Sequence, residues 1–203
     1  MSANTPVKEH MTSPIKLLAD RGLVRLWKEN VVGEIDSIPL VSLSDSHHDF
    51  IRIIKRSIEL IRHFDRRRYE RVIRYTDWLV DDALYGGAYT SEYKQRTKSI
   101  QIDFEYDNSK GGMYVHAAYY AGTIVYLATH GKMHALGIRS KASNRLRKAR
   151  ICQAEMNRFL ERMLEIFPEL PSSMIQPINP DDYRKLGILN RSWKLIARMI
   201  GKK

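Results

Sequence analysis

The chain has 203 residues, 43% hydrophobic and 28% charged, which supplies the core of one globular domain and excludes a wholly disordered chain. Lys and Arg outnumber Asp and Glu by 34 to 23, a formal charge of +11. A basic protein with solvated charged faces is expected, and an anionic partner (an acidic protein, an anionic surface or nucleic acid) stays open.

Residues 1–13 are polar and unpatterned, so a flexible tail is expected. They carry no long apolar run of the signal-peptide kind, and a cytoplasmic protein is expected. A single domain is predicted over residues 14–170. Ser13-Pro14 has the form of a cap and first helical position, and Ile15, Leu18, Leu23, Leu26 and Trp27 make a helical stripe broken at Gly22. A loop is expected around Gly33 and Pro39. The clearest helix is "DSHHDFIRIIKRSIELIRHF", with Asp45 or Ser46 as cap and Phe50, Ile53, Ile54, Ile58, Leu60, Ile61 and Phe64 at helical spacing. His47 and His48, near its start, read as surface residues.

The basic run Arg66–Arg68 opens "YERVIRYTDWLVDDAL", whose first half continues as helix and whose second half, Trp78 to Leu84, predicts a strand ended by Gly86-Gly87. Residues 98–106 alternate Ile100, Ile102 and Phe104 with polar partners, a strand with one buried face. These two strands are expected to form an antiparallel hairpin. A loop over Asn108–Gly112 leads to a buried helix from Tyr114 to Leu136, closed by Gly137. Another helix covers residues 141–167, with Cys152, Met156, Phe159, Leu160, Met163, Ile166 and Phe167 as its apolar stripe, and Pro168 and Pro171 end it. Residues 171–203 are expected to be a linker and a basic amphipathic helix, capped by Asn179-Pro180 with Asp181 and Asp182 in its first turn. That helix either docks on the domain or lies on an anionic membrane. The longest near-apolar run, Ala117 to Thr129, falls short of the roughly 20 residues that span a bilayer. The predicted fold class is α+β, mostly helical with a small antiparallel sheet.

Cys152, the single cysteine, excludes an internal disulfide and a cysteine-rich zinc cluster, and its apolar surroundings predict a structural thiol. The Gly pairs in "GGAYTSEY" and "SKGGMY" match no phosphate-binding fingerprint and read as turns.

The stretch most suggestive of chemistry is "AGTIVYLATHGKMHALG", residues 121–137. Thr123, Tyr126, His130 and His134 share one helix face. Two imidazoles one turn apart are the spacing of H-E-x-x-H metal sites, but "HGKMH" has Gly131 in place of the base glutamate and Lys132 beside it. His116 lies about 21 Å before His130 along a straight helix and cannot join it.

Four residues earlier, "TIVYLATH" (123–130), followed by "ARICQAEMNRF" (149–159), resembles a family of small bacterial zincin-like proteins. In that family one helix has the form I-V-H-E-A-T-H and the next E-R-I-C-x-A-E-x-x-F. A Trp-containing strand, "GGAY" (86–89) and "IQID" (100–103) fall in a similar order, so the resemblance covers roughly residues 50–165. It implies a zincin-like minimal core whose metal motif is degenerate here. Tyr126 stands at the first ligand histidine, Leu127 at the base glutamate, and Ala149 at the glutamate that opens the second motif. His130 and Glu155 match. The resemblance therefore implies no catalytic residue, no cofactor, and a non-hydrolytic binding or regulatory module rather than an enzyme. Two alternatives stay open. One is a metal-dependent hydrolase holding zinc in a shifted site of His130, His134 and Glu155. The other is a basic nucleic-acid- or lipid-binding protein using "RRRYERVIR" (66–74) or "RSKASNRLRKAR" (139–150).

Overall fold

The computed structural model describes residues 14–42, 44, 47–81, 91–106, 112–138 and 142–175. The expected N-terminal tail, the Gly86-Gly87 turn, the Asn108 loop, the caps Asp45 and Ser46, and the C-terminal basic helix lie outside these residues. In chain order the elements are α1 (Pro14–Glu29), β1 (Val31–Ile35), β2 (Ile38–Val41), α2 (His47–Phe64), α3 (Arg66–Tyr75), β3 (Trp78–Asp81), β4 (Glu92–Lys94), β5 (Ser99–Ile102), α4 (Met113–Ala135) and α5 (Ala142–Ile166), with a short 3₁₀ turn at Ser172–Met174. The fold is α+β, mostly helical around one small sheet.

The sheet has the order β1-β2-β3-β5-β4 and is mixed. β3 and β5 do not form the expected antiparallel hairpin. They run parallel, with Leu79 opposite Ile100 and Val80 opposite Gln101. The antiparallel partner of β5 is β4, a short polar strand with Tyr93 opposite Ile100. The expected loop around Gly33 and Pro39 is the hairpin β1–β2. Its turn residues Asp36 and Ser37 have φ of 49° and 67°, the two consecutive positive values of a tight hairpin turn. Pro39 is tolerated because the parallel ladder of β2 with β3 begins only at Leu40.

Alternation along the strands divides the two faces. Leu40, Leu79, Ile100 and Ile102 enter the main core with α2, α4 and α5. Val41 and Val80 point the other way and meet Trp27 of α1. Gly122 lets α4 approach α5: a Cβ there would stand 3.2 Å from Leu160. α4 ends as expected, with Gly137 at φ 72°. Among the described residues, no helix is long and apolar enough to cross a membrane.

Candidate functional site

α4 carries the histidine face past the edge strand β4. The rings of His130 and His134 lie 5.1 Å apart, and Tyr93 of β4 covers both, each at 6.4 Å between centroids. Tyr93 is anchored, because its hydroxyl donates to the Tyr75 carbonyl at 2.8 Å. Burial, with the nearby Asp77 charge, pushes its hydroxyl up to about 12. The ring fills the space over Gly131, where a Cβ would stand 2.7 Å from Tyr93 Cζ. Tyr93, on a three-residue polar strand that carries no signal in the sequence, is thus the lid of the histidine face.

The imidazoles are held neutral. Burial, then the charges of His134 and Lys148, lower His130 to about 4, and burial and Lys148 lower His134. His130 Nδ1 is buried without a hydrogen-bond partner among the described residues. Lys148 of α5 is only 2% exposed, and burial lowers its pKa. Cys152, one turn on, is fully buried with its Sγ 3.8 Å from Met133 Sδ, and burial pushes the thiol up to about 12. That environment makes it a structural thiol, as its apolar stripe predicts.

Glu155, expected as the third ligand of a shifted site, is taken elsewhere. Arg71 Nη1 lies 2.8 Å from its Oε2, Arg68 Nη2 3.4 Å from the same oxygen, and Arg158 Nη1 3.0 Å from Oε1. Burial alone would raise this carboxyl, but the Arg71 hydrogen bond and the Arg68 and Arg71 charges outweigh it and hold the pKa below the usual value. Arg71 also donates to Thr129 Oγ1 at 2.6 Å, so one guanidinium of α3 ties α4 to α5. Asp65 completes the network, pairing with Arg68 and with Arg162 at 2.9 Å.

The positions of the resembled motif fare differently. Leu127 is 3% exposed and belongs to the main core. Tyr126 is half-buried against that core, and Ala149 is half-buried on α5. His130 and His134 come together. Among the described residues, however, no group of three His, Cys, Asp or Glu side chains is placed to hold a metal. Two neutral imidazoles beside a buried ammonium are a poor zinc donor set, since zinc sites supply at least three protein ligands and a nearby cation opposes a dication. Lys148 was legible in principle, because it precedes Cys152 and Met156 at four-residue spacing on the apolar stripe.

The chain matches no protein-family model, no curated protein and no solved structure.

Proposed function

We propose that this protein is a non-hydrolytic binding or regulatory module on a degenerate zincin-like helix pair. One observation carries the reading: both positions from which a glutamate could serve His130 are closed. Position 127 is a leucine buried in the core, and position 131 is a glycine beneath the Tyr93 ring. Metal-assisted hydrolysis needs a base beside the metal-bound water, and neither position offers one. A cytoplasmic location and an acidic or anionic partner belong to the same proposal, supported by the lone buried thiol and the +11 charge.

Metal analysis of the purified chain, before and after incubation with zinc, tests it, together with a peptide hydrolysis assay. The expected result is no stoichiometric zinc and no hydrolysis. Stoichiometric zinc that is lost on both His130→Ala and His134→Ala, accompanied by hydrolysis, would sink this reading in favour of a metal-dependent hydrolase.

A further inference from the structure

α3 and the end of α4 enclose an open groove of about 660 Å³. Among the described residues, Arg66, Arg67, Arg71 and Arg74 of α3 and Lys132 of α4 line it against one acid, Glu70. These cations are not equivalent. Arg71 is buried and committed to Thr129 and Glu155. Arg66 pairs with Glu70 at 3.0 Å and lies over the Tyr69 ring. The side chains of Arg67, Arg74 and Lys132 have no hydrogen-bond or ion-pair partner among the described residues.

Helix polarity adds an independent argument. Arg66, Arg67 and Arg68 are the first three residues of α3, and no acid stands in that first turn. Cations at the positive end of a helix dipole are disfavoured. Asp65 compensates Arg68, and Glu70 compensates Arg66 from the C-terminal side, the weaker order for such a pair. Arg67 is left lining the groove with no acid among the described residues paired to it, a position that an anionic ligand would balance.

The aromatic lining narrows the chemistry. Tyr69 is already covered by Arg62 and Arg66, at 5.0 and 5.5 Å. Tyr75 lines the same groove half-buried, and its backbone is fixed by the bond from Tyr93. Guanidinium and ammonium groups beside a ring suit a phosphate chain carrying flat bases better than a row of carboxylates. The volume falls within the range of small-ligand sites, enough for a nucleotide or two of a flexible strand.

We propose that this groove binds single-stranded nucleic acid, with Arg67, Arg74 and Lys132 on the phosphates and Tyr75 stacked on a base. The proposal does not depend on the imidazoles of His130 and His134: α4 gives the groove only Lys132, and neither histidine lines it.

The test is fluorescence anisotropy of the full chain with a labelled oligothymidylate across a range of salt. Three phosphate contacts predict a log–log slope of about −2. Arg67→Glu with Arg74→Glu is expected to weaken binding about 100-fold and flatten the slope. Tyr75→Ala is expected to weaken binding by roughly 5- to 100-fold with the slope unchanged. The control, Arg21→Glu with Arg25→Glu on α1, makes the same change in net charge and should leave affinity nearly unaltered. Circular dichroism checks each fold, and if the Glu pair does not fold, Arg67→Gln, Arg74→Gln and Lys132→Gln together carry the test. The proposal is overturned if wild type does not bind at physiological salt or if the α1 control weakens binding equally. It is also overturned if polyglutamate displaces the oligonucleotide as readily as unlabelled strand does, because the groove is then an acidic-peptide surface.

Discussion

Gly131 and Tyr93 define each other. The ring stands where a Cβ at position 131 would go, and it is held there by its bond to the Tyr75 carbonyl. Gly131→Ala must therefore push the ring aside and strain or break that bond, and a loss of about 1–3 kcal/mol is expected in urea denaturation. In a Tyr93→Ala background the obstacle is gone and only helix propensity remains. There the same Gly131→Ala change should stabilise the protein, by about 0.5–1 kcal/mol. A cost that persists in the second background would show that something other than Tyr93 excludes a side chain at 131. In the sequence, Gly131 stands out only as a glycine where a glutamate would act. The physical reason for the glycine lies in a residue 38 positions earlier in the chain, on a strand too short and polar to announce itself. Lys148 is the complementary case: its spacing placed it on the buried stripe of α5, but the basic run around it read as a solvated face.

α3 is the element on which the arrangement turns, because it anchors the buried ion network with one face and lines the groove with another. Its N-cap is Asp65, whose carboxylate accepts the Arg68 backbone N–H at 3.0 Å. The same carboxylate pairs with the Arg68 and Arg162 guanidiniums and is 5% exposed. Capping contributes about 1 kcal/mol, and stripping one partner from a buried pair costs about 3–5 kcal/mol. Arg68 would keep Glu155 at 3.4 Å, which moderates the second term. Asp65→Ala should therefore lower stability by roughly 2–4 kcal/mol. Asp65→Asn retains an acceptor for the cap and should lose less, and equal losses in the two variants would assign the whole effect to charge. Among the elements, α2 and α5 were legible because their apolar residues recur at helical spacing over many turns, α4 because its apolar run is too long for an ordinary strand, and even the end of α4 at Gly137 was readable. The hairpin β1–β2 was not. Its turn uses Asp36 and Ser37 at positive φ without a glycine to mark it, and Pro39 argued against a strand. The direction of β3 relative to β5 was equally hidden, since alternation reports which face is buried and not which neighbour lies beside it.

At the scale of the whole molecule, the two faces of the sheet are unequally covered. One carries the large core with α2, α4 and α5, and the other, among the described residues, carries α1, through Trp27, Val41 and Val80 with Leu23, Val24 and Trp78 around them. Trp27 is 2% exposed and lies 5.8 Å from Trp78. Beyond this small cluster, α1 is tied down by the Asp20–Arg96 ion pair at 2.7 Å, between groups about one-third exposed, which contributes little. Elements that bury little apolar surface open at lower free energy than the core they rest on. Native-state hydrogen exchange should therefore find the α1 amides opening below the global unfolding free energy, with α2 and α4 exchanging only through global unfolding. Trp27→Ala removes a side chain whose loss from a core costs about 3–5 kcal/mol, and if α1 is a separate unit that loss falls on α1 itself. The variant should abolish protection across α1 while the slowest amides of α2 and α4 keep theirs. If those amides instead lose protection in step with α1, the two faces of the sheet fold as one cooperative unit, and α1 is as much a part of the core as the helices opposite it.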